Sequence, residues 1–252
     1  MDAAQILMLM VIGLFGGVWN AIAGGATLFT FPALMAVGLP PVVANATNYL
    51  ALLPSNAAAL PAYREELRGL GRTLVPLLVI SGLGAILGSL MLLVSDPDVF
   101  VILIPFLILI ATILFAAGDI IRGWLLSAAG EANSGRMIYV ALFVSSIYGG
   151  YFGAGLGIIL LAIAQIMGFS NFHVANSIKN LLATSFTILS ILVFGIGGLI
   201  AWPEALVMMV GSTAGGYLGG RYAKRVNQKA LRLVVILFGV MLSTVYFYRT
   251  FF

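Results

Sequence analysis

Val43-Ala44-Asn45-Ala46-Thr47-Asn48-Tyr49-Leu50 returns 131 residues later as Val174-Ala175-Asn176-Ser177-Ile178-Lys179-Asn180-Leu181. The same offset carries Ser81, Gly84, Leu87 and Gly88 onto Ser212, Gly215, Leu218 and Gly219. The chain is therefore read as a unit written twice: residues 1–121, a linker 122–136, and residues 137–252. The loop after the shared glycine helix differs between the copies. The first has Asp96 and Asp98, the second Arg221, Lys224, Arg225, Lys229 and Arg232.

Hydrophobic residues make up 62% of the chain and charged residues 8%. Ordinary soluble domains are roughly a quarter charged, so this much apolar surface must face lipid. Runs such as 73–94, 99–121, 174–200 and 231–248 reach or approach the roughly 20 residues a helix needs to cross the hydrocarbon. An all-α polytopic membrane protein is predicted. The N-terminal run opens with Asp2 rather than a basic region and lacks a small-x-small cleavage site, so it is expected to be retained.

The first apolar block of each copy, residues 3–38 and 137–168, is interrupted by glycines. They are Gly16-Gly17 and Gly24-Gly25 in one, and Gly149-Gly150, Gly153, Gly155 and Gly157 in the other. Each block reads either as one tilted span or as two shorter helices about a break. Basic residues separate these readings. With eight single crossings they divide evenly between the two faces. If each first block enters and returns on one side, ten of the twelve Lys and Arg gather on one face, leaving Arg249 with Asp2, Asp96, Asp98 and Glu204 on the other. The positive-inside tendency selects the second arrangement. It consists of two inverted repeats, each a re-entrant glycine-broken hairpin plus three transmembrane helices, with a cytoplasmic linker and both termini extracytoplasmic in the cell (inner) membrane. A bundle of parallel repeats is the alternative. Inverted repeats suit secondary transporters, because related packings give outward and inward states of similar energy.

The combination Gly24-Gly25-Ala26-Thr27-Leu28-Phe29-Thr30-Phe31-Pro32-Ala33-Leu34, Gly38-Leu39-Pro40 and Ala44-Asn45-Ala46-Thr47-Asn48 resembles the sulfite exporter TauE/SafE (TSUP) family. So do Gly149-Gly150-Tyr151-Phe152-Gly153-Ala154-Gly155-Leu156-Gly157 and His173-Val174-Ala175-Asn176-Ser177-Ile178-Lys179-Asn180 in the second copy. The likeness covers nearly the whole chain, and departs from the family's glycine-rich form at Trp19, Asn20 and Ile22. It implies transport of small anions such as sulfite, sulfoacetate or other sulfonates and carboxylates.

Gly24, Gly25, Thr27, Gly153, Gly155 and Gly157 are candidate site residues because a break there begins new helices inside the membrane. A helix start offers unpaired N–H groups to an anion. Close helix packing is the competing role of such glycines, and the expected one for Gly84, Gly88, Gly215, Gly216, Gly219 and Gly220. Asn45, Asn48, Asn176, Lys179 and Asn180 complete the candidate set, as polar groups at membrane depth commonly line a pathway. Lys179 takes the place of Asn48 in the second copy. It either attracts the anion or snorkels to the interface. Asn20, Thr30, Ser55, Asn56, Tyr151, Gln165, Thr184 and Ser185 rank second, as groups that often bond a neighbouring turn.

No cysteine is present, which removes disulfides and thiolate sites, and one histidine cannot build a soft-metal site. Catalytic residues, cofactors and metals are not expected. The partners foreseen are a small anionic substrate and the bilayer, with no nucleic acid; a homodimer is allowed. Two other readings stay open. One is an intramembrane serine hydrolase pairing Ser212 with His173, and the other is a noncatalytic membrane subunit without a polar cavity.

Overall fold

A computed structural model describes the chain except residues 23–24, 58–59, 61–63, 129–133, 170 and 223–227. The described residues form eleven α-helices: α1 (Ala3–Ile22), α2 (Thr27–Ala36), α3 (Pro41–Ala57), α4 (Arg64–Leu70), α5 (Leu74–Val94), α6 (Pro97–Ala128), α7 (Ser134–Tyr151), α8 (Leu156–Ile166), α9 (Phe172–Ile196), α10 (Trp202–Tyr222) and α11 (Gln228–Phe251). Five helical stretches among the described residues are long and apolar enough to cross a membrane: Ala3–Ala21, Leu67–Val94, which runs from α4 into α5, Pro97–Gly118, Val174–Ile196 and Leu233–Phe251. Leu83, Ile113, Leu192 and Leu237 on these helices are exposed, as side chains that meet lipid must be.

Shifted by 131 residues, α1, α2, α3, α5 and α6 fall on α7, α8, α9, α10 and α11. Only α4 lacks a counterpart, its register landing on the turn that ends α9.

Each glycine-interrupted block is a longer helix followed by a shorter one rather than a pair of half-helices. Their first arms α1 and α7 are 20 and 18 residues long, and their second arms α2 and α8 are 10 and 11. Gly16-Gly17 and Gly149-Gly150 stay helical, so each block breaks only at its second glycine group. There Gly25, Gly153 and Gly155 take φ of 117°, 75° and 76°. Side chains with a Cβ rarely adopt that left-handed region.

The helical glycines serve packing. A Cβ at Gly211 would sit 2.1 Å from the Met10 carbonyl oxygen, at Gly215 2.0 Å from that of Leu14, and at Gly219 2.7 Å from that of Val18. Both helices advance four residues together, so α1 and α10 run parallel in backbone contact. The equivalent pair does the same, with Gly84 against Phe143 and Gly88 against Ile147, so α5 and α7 also run parallel. α3 joins the first pair, as Ser212 Oγ donates to the Ala51 carbonyl and Gly216 abuts Ser55. α3 therefore runs parallel to α10 and to α1. The equivalent helices α6 and α11 run antiparallel, because Gly239 abuts Thr112 while Ser243 Oγ reaches the Pro105 carbonyl at 3.3 Å.

Gly215→Ala is expected to lower stability by about 1–3 kcal/mol, the usual cost of overpacking, because the obstructing atom is backbone. Gly69→Ala, with nothing within 4 Å of its added Cβ, is the control. Thermal midpoints in detergent check the pair: a clear drop for Gly215→Ala and none for Gly69→Ala.

Candidate anion-binding cavity

Among the breaks in the two glycine-interrupted blocks and the equivalent helices α3 and α9 lies a cavity of about 70 Å³. A single water needs roughly 10–15 Å³ by this measure, so a small polyatomic anion fits. The first copy contributes Asn20, Gly25, Thr27, Asn48, Tyr49, Leu52 and Asn56, and the second Phe152, Gly153, Leu156, Gly157, Leu160, Lys179, Ala183, Phe186 and Thr187. Asn48 and its twin position Lys179 both line this space, and Leu52/Ala183 and Asn56/Thr187 are further pairs at the same offset.

The break in each glycine-interrupted block brings the start of a helix to the wall. Gly25 and Thr27 do so for α2, Leu156 and Gly157 for α8, and neither start carries a side-chain cap. Gly25 cannot bear a side chain here, since its Cβ would fall 2.1 Å from the Phe115 ring. Gly153 is constrained from two sides, its Cβ position lying 2.9 Å from the Gly149 carbonyl and 3.0 Å from the Tyr49 hydroxyl.

Lys179 is 6% exposed and has no hydrogen bond or ion pair among the described residues. Asn48, 2% exposed, donates from Nδ2 to Thr27 Oγ1 at 3.2 Å, while its Oδ1 has no partner among the described residues. Asn20 Nδ2 holds Ser55 Oγ at 2.7 Å and Asn56 Oδ1 at 2.9 Å, closing one end of the wall.

Of the residues singled out from the sequence, Gly25, Thr27, Asn48, Gly153, Gly157 and Lys179 meet at this cavity. Gly155, Asn45, Asn176 and Asn180 stand outside its lining. Gly155 is the left-handed residue from which α8 starts. Asn45, fully buried, gives Nδ2 to the Tyr151 carbonyl at 2.9 Å and so ties α3 to the end of α7. Gly24 and the His173 side chain lie outside the described residues. Thr30 and Thr184 bond within their own helices, to the carbonyls of Ala26 and Asn180. Tyr49, Phe152 and Phe186 were not legible as wall residues, because aromatic side chains in an apolar run carry no mark of facing a cavity.

Three comparisons place the chain. The family profile "Sulfite exporter TauE/SafE" matches residues 9–246. A "Probable membrane transporter protein" of Haemophilus influenzae is 31% identical over 245 residues, covering 94% of this chain and 92% of that protein. The "Probable membrane transporter protein YfcA" of Escherichia coli K12 is 29% identical, covering 94% and 87%, and the "Probable membrane transporter protein ORF9" of a Sinorhizobium species is 25% identical, covering 94% and 90%. No solved structure matches. With near-complete coverage by the profile and by a relative above 30% identity, this multi-pass membrane protein belongs to the sulfite exporter TauE/SafE family of membrane transporters.

Proposed function

We propose that the protein is a secondary transporter of small organic or sulfur-containing anions, working by alternating access about the cavity between two inverted repeats. The observation that carries this reading is Lys179, a buried cation, unpaired among the described residues, on the wall of a polar cavity. Burying a lone charge is costly, and an anion that enters recovers the cost. Asn48 and the uncapped starts of α2 and α8 assist. A half-turn of the Asn48 amide keeps its Thr27 contact, with the hydroxyl now donating, and frees Nδ2 as a donor.

Packing directions support the inversion. Equivalent helices α6 and α11 run antiparallel, as a two-fold axis in the membrane plane requires. Parallel α1 and α3 agree with a hairpin that brings the chain back to the side where it began. Residues 1–121 and 137–252 are then the two repeats, and the basic loops lie in the cytoplasm with both termini outside the inner membrane.

The hydrolase reading has less support. Ser212 Oγ donates to the Ala51 carbonyl and approaches that of Met209 at 3.1 Å, a helix-packing role. A noncatalytic subunit predicts no polar cavity, and one is present.

Because the chain has no cysteine, single cysteines report topology directly. Positions 98 and 229 are expected to react with an impermeant reagent from opposite faces of the membrane; reaction from the same face sinks the inverted arrangement.

Lys179→Asn makes the second copy resemble the first. Expected is a protein that folds yet binds sulfite or sulfoacetate, whichever stabilises the parent, at least tenfold more weakly, a loss of about 1.4 kcal/mol or more. Arg72→Asn, at an exposed position, serves as the control. Equal affinity of Lys179→Asn and the parent makes Lys179 a membrane anchor instead.

A further inference from the structure

A second concavity of about 520 Å³ opens where α3 ends and α4 begins, lined by Ala57, Leu60, Arg64, Leu67 and Arg68. Both spaces are bordered by the end of α3, Asn56 lining the central cavity and Ala57 this hollow. Asn20 holds Asn56 on the cavity side. Arg64 and Arg68, four residues apart, share one face of α4; both are exposed, and neither forms an ion pair among the described residues. α4 also packs on α9, the helix that carries Lys179.

This basic hollow has no twin. α4 is the one helix without a counterpart, and at the 131-residue offset Arg64 and Arg68 become Gly195 and Leu199. Orientation alone asks only that basic residues lie on one face. It does not ask that two of them line a concavity at the end of a helix that also lines the cavity.

We infer that Arg64 and Arg68 form an anion-gathering vestibule at one mouth of the pathway, a site for small oxyanions that precedes Lys179. The inference rests on the anion-transport reading for its purpose, but its electrostatics stand alone. A cleft lined by one sign of charge focuses the field and raises the local concentration of counter-ions, by ten- to a thousandfold in on-rate where charges are dense. Two guanidiniums in an open hollow belong at the low end of that range, and about 10 Å of screening length at 0.1 M salt confines the effect to the mouth. An anion gathered there, by arginines that hold it loosely, is then handed on to the buried lysine.

The absence of native cysteine allows a test that needs no knowledge of the substrate. Ala57→Cys places a thiol in the hollow, and its rates with an anionic sulfonatoethyl and a cationic trimethylammonioethyl methanethiosulfonate are measured in the full-length protein. Each reagent forms the same kind of mixed disulfide, with methanesulfinate leaving, so the ratio of rates reads the local potential. Relative to a small free thiol, the anionic reagent is expected to be favoured about tenfold at low ionic strength. Adding Arg64→Gln and Arg68→Gln is expected to return the ratio to about one, as is salt near 1 M. A ratio unmoved by the two substitutions, or no anionic preference in the first place, overturns the vestibule. Glu65 and Glu66 lie between the arginines in sequence, so the measurement answers for the net field. Failure of the transport reading is distinguishable: it would leave this ratio intact while Lys179→Asn bound anions like the parent.

Discussion

The rest of the site depends on how a helix that stops inside apolar surroundings satisfies its last carbonyls. A backbone group buried there without a partner costs several kcal/mol or so. α7 ends at Tyr151, and the side chains that answer it come largely from the other copy. The Tyr49 hydroxyl donates to the Gly149 carbonyl and the Asn45 amide to that of Tyr151, while Tyr148, from α7 itself, reaches across the break to Ala154 at 2.7 Å. Asn45 and Tyr49 lie one turn apart on α3, and Asn48 stands between them. Capping the broken helix therefore also fixes the face that α3 turns toward Lys179.

Close glycine contacts decide what else moves with that face. α1, α3 and α10 form one tightly packed group, and α7, α9 and α5 are its equivalents under the 131-residue shift. Each group takes two helices from one copy and one from the other. The cavity lies where α3 of one meets α9 of the other. A rocking motion that opened it would separate these mixed groups, not the two halves of the sequence, because sliding α1 along α10 would drive side chains into the backbone at Gly211, Gly215 and Gly219. The hydrogen bond from the Ala201 amide to Thr47 Oγ1 at 3.0 Å and the Tyr49–Phe194 ring contact at 5.4 Å are among the links such a motion would break.

Much of this was legible in the sequence wherever spacing carried the information. The duplicated Val-Ala-Asn stretch located the two helices that meet at the cavity, and the offset by itself paired Asn48 with Lys179. Apolar length found the long helices, and small-xxx-small spacing marked the glycines now seen in backbone contact. The position of the breaks was only half readable. Gly16-Gly17 and Gly24-Gly25 look alike as letters, yet the first pair stays helical, Gly17 packed against α10 and Gly16 against Thr30, while Gly25 adopts positive φ. Asn45 and Asn48 were equally indistinguishable. One is spent on a carbonyl and the other lines the cavity, because the neighbour that claims Asn45 is 106 residues away in the chain. Such assignments depend on tertiary contacts, and no local pattern encodes them.

The symmetry of the cavity is most informative where it fails. A perfect two-fold relation would place either two lysines or two asparagines across the space. Two ammonium groups buried in one cavity would repel one another whenever no anion lay between them. Two asparagines would offer donors but no charge to offset the desolvation of an oxyanion. One of each gives an attraction without a built-in repulsion. On the anion-transport proposal, the same arrangement leaves the site polar rather than doubly charged, which favours release as well as capture. The asymmetry at the centre is joined by that of α4, which adds two arginines that the second copy does not repeat.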